Sequence, residues 1–206
     1  MNNARGFSLL EVLLATALLA AGLALAFATV RSAMAVGQRS EAQVQASEQM
    51  RGVLDVLRSR LQSALPLPYA EGEQGQLPPR FDGAGDGMHF VSEVPAYVGV
   101  GGPYLHALSV RRSTDRPGME LVLALSPVQA GAALPGRPAQ VIAADLDAVS
   151  FRYRGLDPDT GQLGEWQPDW PWLRHQRGPL LVAITVSPRV GQAWPELIVN
   201  LPPVVR

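Results

Sequence analysis

The chain has 206 residues, with 17 basic and 18 acidic side chains and no cysteine. The balanced charge argues against nucleic acid as a partner, because proteins that bind nucleic acid usually carry a basic surface. The absence of cysteine excludes disulfides, thiolate metal sites and a cysteine nucleophile. The length allows one domain with an accessory element, or two small domains, with enough apolar chain for a buried core.

The first predicted element is an apolar helix near the N-terminus. No charged residue occurs from Val12 to Val30, and as a helix this run spans roughly 28 Å, close to the hydrocarbon thickness of a bilayer. Arg5 is the only basic side chain before the run, so the positive-inside rule predicts a cytoplasmic N-terminus and sends the remaining chain across the membrane. A cleaved signal peptide is the rival interpretation, but the run exceeds the usual apolar region of about 7–15 residues and carries Glu11 at its leading edge.

The carboxylate of Glu11 is the unusual feature of this helix. A lone carboxylate costs roughly 2.5–3.5 kcal/mol at mid-membrane and less near an interface, so it requires a partner or snorkels to the headgroups. The stretch GFSLLEVLLA, Gly6 to Ala15, resembles the type IV prepilin signature: a short basic leader ending in glycine, then phenylalanine, a small hydroxyl residue and a glutamate. The resemblance implies that prepilin peptidase cuts between Gly6 and Phe7, that Phe7 is N-methylated, and that Glu11 pairs with the terminal amine of a neighbouring subunit.

A second apolar pattern extends the helix past the membrane run. Its members recur at spacings of three and four and form one helical face: Met50, Leu54, Leu57, Leu61 and Leu65. None of the 18 prolines precedes Pro66, so we expect a helix of up to about 59 residues that ends at Pro66 and packs on the chain that follows. For a subunit of a pilin-like filament, which the resemblance above implies, this face would also contact partner subunits at Met50, Leu54, Leu57 and Leu61.

Beyond Pro68 the pattern shortens to that of strands. The predicted strands are 87–94, 105–112, 119–126, 148–154, 180–187 and 196–201. Residues 115–118, DRPG, predict a hairpin turn, and the glycine- and proline-rich segments 70–86 and 127–139 predict surface loops. The fold class is therefore α+β: a long N-terminal helix packed on a small antiparallel β-sheet domain, with one sheet or two.

These elements divide the chain into four predicted parts. They are a leader over 1–6, a transmembrane helix over 7–30, an amphipathic continuation of the helix over 31–65, and an antiparallel β domain over 66–206.

Residues that could carry chemistry are few. His89, His106 and His175 lack the HExxH spacing, so we interpret them as structural or exposed and expect no metal site and no cofactor. The segment DPDTGQLGE, 157–165, offers carboxylates from Asp157 and Asp159 that suit calcium, but the EF-hand order fails, and a turn between strands is favoured. The sequence also lacks a GxSxG nucleophile turn, and no catalytic constellation is found.

The C-terminal third resembles the J-type minor pseudopilins of the type II secretion system. The resemblance rests on DLDAVSFRYR (145–154), on Trp166 and Trp170, and on GPLLVAITVS (178–187) and WPELIVNLP (194–202). Trp166 and Trp170 are predicted to be partly buried and are candidate partner contacts, since tryptophan is common at interface hot spots.

This second resemblance implies a subunit at the tip of the pseudopilus, anchored in the bacterial inner membrane with its C-terminal domain in the periplasm. The implied partners are the I-type and K-type minor pseudopilins, the major pseudopilin, inner-membrane lipid and exported protein substrates. The function would be to prime pseudopilus assembly and to help export folded proteins. The alternatives are a minor pilin of a type IV pilus and, in another class, a membrane-tethered enzyme.

Overall fold

The computed structural model describes residues 8–72, 75–96 and 101–202, without the side chains of residues 33 and 35–43. The chain forms two compact units, Met1–Gln49 and Met50–Arg206. Two α-helices occur in the described chain: α1, Leu9–Gln62, and α2, Trp172–His175. The strands of the described chain are β1 (Ala64–Leu65), β2 (Phe81–Ala84), β3 (Gly87–Val94), β4 (Gly102–Arg112), β5 (Met119–Gln129), β6 (Ala132–Ala133), β7 (Gln140–Arg154), β8 (Leu181–Pro188) and β9 (Leu197–Asn200).

All the strand pairs are antiparallel, and the main order is β1-β3-β4-β5-β7-β8-β9, with β2 beside β3 and β6 beside β5. The α+β class is therefore confirmed, as are the six predicted strands. The hairpin at 115–118 is confirmed too, because Arg112 pairs with Met119 and the Ser113 amide donates to the Gly118 carbonyl.

The long strand β7 belongs to two ladders. Its first half, Gln140 to Leu146, pairs with β5, and its second half, Leu146 to Arg154, pairs with β8. The register shifts between Leu146 and Ala148, next to Asp145, whose φ is 56°. A bulge of this kind bends a strand. It accounts for how one strand serves both ladders.

Side chains from the last turns of α1 and from most strands make one core. Leu54, Leu57 and Leu61 are buried with Phe151 and Tyr153 of β7. The two aromatic residues share one face of β7, while Ser150 and Arg152, which alternate with them, are exposed. This confirms the period-two pattern expected for 148–154.

The expectation that 70–86 and 127–139 are loops is wrong in part. Phe81–Ala84 is a strand with Phe81 buried, β5 continues to Gln129, and Ala132–Ala133 is a short strand. Glycine is depleted in strands because it gives no side chain to pack. Strand β2 contains Gly83 nonetheless, because the Tyr153 ring occupies the space of its missing side chain.

The helix also ends earlier than expected. It stops at Gln62, and Ala64 and Leu65 pair with Ser92 and Val91 of β3. Proline disfavours the helical conformation in the residue before it, so Pro66 favours an extended Leu65. The turn from helix to strand thus takes a single residue, Ser63.

Candidate functional site

The first turn of α1 has the geometry of a helix cap. The hydroxyl oxygen of Ser8 accepts a hydrogen bond from the Glu11 amide at 3.2 Å, as expected of serine at an N-cap with glutamate three residues later. The negative charge of Glu11 in the first turn also suits the helix dipole. The predicted cleavage and methylation positions, Gly6 and Phe7, lie outside the described residues.

The helix segment Leu9–Ser32 is long and apolar enough to cross a membrane, with an 18-residue window of mean hydropathy 2.3 and no part of it buried. Its threonines satisfy their hydroxyls locally: Thr16 donates to the Val12 carbonyl at 3.0 Å and Thr29 to the Leu25 carbonyl at 2.7 Å. Glu11 differs from them. Its side chain is exposed and makes no hydrogen bond or ion pair with any residue that the structure describes.

The predicted stripe on the second half of α1 faces its own domain. Leu54, Leu57 and Leu61 are buried in the core and Met50 packs at its edge. Packing of this face on the following chain is thus confirmed. The expected partner surface at Leu54, Leu57 and Leu61 is corrected, because side chains enclosed by the sheet of the same chain are not accessible to another subunit.

The two candidate tryptophans have different environments. Trp170 is 1% exposed, and its indole Nε1 donates to the Arg177 carbonyl at 2.7 Å. Trp170 is therefore a core residue, which corrects its assignment to an interface. Trp166 is half-buried beneath the guanidinium of Arg152, 5.5 Å from the ring centroid. Part of its side chain is therefore accessible to solvent.

The segment 157–165 contains a turn, as predicted. One carboxylate oxygen of Asp157 accepts from the amides of Asp159 at 3.0 Å and Thr160 at 2.9 Å and from the Thr160 hydroxyl. The hydrogen bond from the Thr160 amide is the main cause that lowers the pKa of Asp157. Across the described ranges, no group of three or more His, Asp or Glu side chains is arranged to hold a metal ion.

The histidines are dispersed in the fold. His89 is exposed, with its ring 6.3 Å from that of Tyr69. His106 is buried and stacks on Phe90, and burial lowers its pKa to about 4. His175 is buried and stacks on Trp170 at 3.7 Å. Each has a packing role rather than a shared site.

The architecture now defines a class. An apolar N-terminal helix that starts with a capped glutamate turn and leads into an antiparallel β domain is that of pilin-like proteins. The model of the family described as "Prokaryotic N-terminal methylation motif" matches residues 1–27, which includes the stretch from Gly6 to Ala15.

Two further comparisons identify the branch of this class. The model of the family "Type II secretion system (T2SS), protein J" matches residues 28–199. The chain is also 49% identical over 203 residues, 97% of its length and 94% of the relative's, to "Type II secretion system protein J" of Xanthomonas campestris pv. campestris. The chain belongs to the type II secretion system protein J family.

Membership in this family makes the chain a minor pseudopilin, a structural component of the type II secretion system anchored in the inner membrane by its apolar helix. This family membership assigns the chain to the type II secretion system and not to a type IV pilus, which was the alternative.

Proposed function

We propose that the chain is made as a prepilin and is cut between Gly6 and Phe7, after which Phe7 is methylated at its new amino group. The match to the N-terminal methylation motif supports this. The cut leaves Ser8 as the second residue of the mature chain, so the capped first turn of α1 stays intact.

The observation that carries the assembly step is that the Glu11 side chain makes no hydrogen bond or ion pair with another described residue. The other polar side chains inside the apolar run, Thr16 and Thr29, are satisfied within the helix. Glu11 has no such partner among the described residues. The positive terminal amine of a neighbouring subunit would supply one, and a charge pair is worth more in low dielectric than in water. Glu11 then selects the position at which the chain enters the growing pseudopilus.

The proposed orientation uses the charge that precedes the apolar segment. Arg5 lies before it, which predicts a cytoplasmic N-terminus and a periplasmic β domain. In this arrangement the domain of residues 50–206 lies in the periplasm, the compartment from which proteins are exported across the outer membrane.

The β domain has a proposed role in assembly with other subunits. It would assemble at the pseudopilus tip with the I-type and K-type minor pseudopilins, prime polymerisation of the major pseudopilin and help move exported proteins through the outer membrane. Trp166 is a candidate contact, because a partly accessible tryptophan suits an interface. Arg152 lies over its ring and is paired with Glu196 at 2.6 Å, so it positions the tryptophan. The chain has a structural role in this scheme, and the energy comes from elsewhere in the machine.

Glu11→Gln in the full-length chain tests the assembly step, with Glu48→Gln, an exposed helical glutamate outside the apolar segment, as the control. We expect mass spectrometry to find both variants cut before Phe7 and methylated. Crosslinking to the other pseudopilins and secretion of an exported protein should fall strongly only for Glu11→Gln. Normal crosslinking of Glu11→Gln would refute the assembly role. An N-terminus other than methylated Phe7 would refute the processing step.

A further inference from the structure

A pocket in the β domain lies where the two ends of the strand order come together. It is lined by residues in and next to β1 and β2, by Phe90 of β3, and by residues before β8 and after β9. Its volume of about 460 Å³ includes space that is open to solvent at the mouth. The apolar walls are Leu65, Pro66, Phe81, Phe90, Trp172, Pro179, Leu201 and Pro202.

The charged residues that line this pocket are cationic. They are Arg80 and Arg177, and among the described residues no acidic side chain lines it. Neither guanidinium makes an ion pair within the described ranges. The Nε atom of Arg80 is buried and finds no hydrogen-bond acceptor in the part of the chain described. A buried donor without an acceptor is costly and rare in folded proteins.

The neighbouring acid of the chain is already engaged. Asp82 is two residues from Arg80, but its carboxylate accepts a hydrogen bond from the Trp172 amide at 3.0 Å. The backbone of Arg177 is held in position, since its carbonyl accepts from the Trp170 indole at 2.7 Å, while its side chain is exposed. The half-buried Arg80 and the exposed Arg177 therefore place two cations beside the apolar wall of the pocket.

We propose that this pocket receives a segment of a neighbouring pseudopilin in which a carboxylate side chain lies beside an apolar one. The carboxylate would accept hydrogen bonds from Arg80 and contact Arg177, because the guanidinium group suits carboxylate geometry. The apolar side chain would cover Leu65 and Pro66, which are the more accessible residues of the apolar wall. This inference rests on the proposed function, in that it needs neighbouring subunits, and it names the chemistry of one contact.

The experiment uses the full-length chain, co-expressed with the other pseudopilins of its system and extracted in detergent. A photoreactive phenylalanine analogue replaces Pro202 at the exposed rim of the pocket. After irradiation, the crosslinked peptides are sequenced by mass spectrometry. We expect a peptide of another subunit with Asp or Glu next to an apolar residue.

Variants that remove the charge of the two arginines test the same contact. The quantity measured is the recovery, the amount of partner subunit crosslinked from position 202. Arg80→Gln and Arg177→Gln together should reduce the recovery about tenfold or more, as removal of one side of a hydrogen-bonded charge pair does. Arg177→Gln alone, at an exposed position that burdens folding little, should reduce it in the same direction. Arg112→Gln, an exposed arginine at the end of β4 and outside the pocket, should leave it unchanged.

Three results would overturn the proposal. Co-purification of the subunits with no crosslink from position 202, or with a partner peptide that lacks an acid, would reject the pocket while the proposed function stands. Crosslinks only to residues 203–206 of the same chain would assign the pocket to its own C-terminus. No co-purification at all would reject the proposed assembly and the pocket contact together.

Discussion

Gly83 lies in β2 directly against the ring of Tyr153. A Cβ atom at position 83 would be 2.5 Å from the Tyr153 Cζ atom. The backbone of Gly83 also exchanges two hydrogen bonds with that of Trp170, at 3.1 and 2.8 Å. The Tyr153 hydroxyl lies 2.8 Å from the carbonyl oxygens of both Ala84 and Gly87. A single missing side chain thus lets a tyrosine and a tryptophan segment close on the same strand.

We expect Gly83→Ala to lower the free energy of unfolding by about 1–3 kcal/mol, because the added methyl group must displace the Tyr153 ring in a packed core. Chemical denaturation of the detergent-solubilised chain, followed by near-ultraviolet circular dichroism, measures the change. Gly85→Ala is the matched control, since the nearest atom to its added Cβ is 3.8 Å away. Equal stability of the two variants would contradict the packing argument.

Single residues were predictable from the sequence where their surroundings are local. Glu11 stands out because its neighbours along the chain are apolar, and Asp157 because its turn partners are two and three residues away. The sequence could not separate Trp170 from Trp166. The burial of Trp170 depends on Gly83, which is 87 positions away in the chain and signals a turn or loop when considered alone.

At the scale of elements, the C-terminal turns of α1 are part of the β domain's core. Leu57→Glu should lower the free energy of unfolding by about 3 kcal/mol or more, because it removes a buried side chain and places a carboxylate among apolar groups. The midpoint of chemical denaturation measures this. Val56→Glu also replaces an apolar side chain with a carboxylate, at the residue immediately before Leu57. Val56 is 45% exposed, so this variant should have little effect on the free energy of unfolding. A comparable loss in both variants would show that helix propensity, rather than burial, decides the result.

The bulge of β7 depends on the left-handed backbone of Asp145. Asp145→Ala should cost about 1 kcal/mol, because alanine tolerates a positive φ less well than aspartate, and Asp145→Gly should cost less than Asp145→Ala. The exposed ion pair with Arg116, at 3.6 Å, contributes little to either value. Thermal unfolding of both variants gives the comparison. Equal losses in the two variants would assign the stability to the carboxylate, which both lack, and a larger loss in the glycine variant would contradict the backbone argument.

Strands in which buried and exposed residues alternate without interruption were predicted correctly. The part of β7 in which the pairing register with its neighbour shifts was not predicted. The first half of β7 was missed because its buried residues Ala143 and Leu146 are three positions apart, a spacing that the bulge creates. Strand β2 was missed for another reason. Its inward residues are Phe81 and Gly83, and a glycine hides the apolar face on which recognition of a strand depends.

At the scale of the whole molecule, buried histidine links stability to pH. His106 has a pKa of about 4 in the folded protein, mainly because burial disfavours its charged form, against an ordinary value of 6.5. The unfolded chain therefore binds more protons between these values. The free energy of unfolding should fall as the pH falls from about 6.5, by about 3 kcal/mol at pH 4. Burial lowers the pKa of His175 as well, so it acts in the same direction.

Unfolding measured between about pH 6.5 and 5 isolates the histidines, because Glu120 and Asp157 titrate at lower pH. His106→Leu should flatten the dependence in this interval. His89→Gln, at an exposed histidine, should retain it. An unchanged slope in His106→Leu would show that His106 does not bind a proton on unfolding in this range.

The one-residue turn between α1 and β1 has a mechanical consequence. Traction on the end of α1 at Gln62 reaches the sheet through Ser63 and a strand of only two residues, Ala64–Leu65. The two residue pairs between β1 and β3 would separate under a small force if they alone resisted it. The burial of Leu61 and the hydrogen bond from the Arg60 guanidinium to the Glu93 carbonyl at 2.9 Å act in parallel with it. Side-chain contacts therefore attach the end of the helix to the domain. Part of a force applied to the helix is transmitted to β3 through these contacts, and the connecting peptide does not carry all of it.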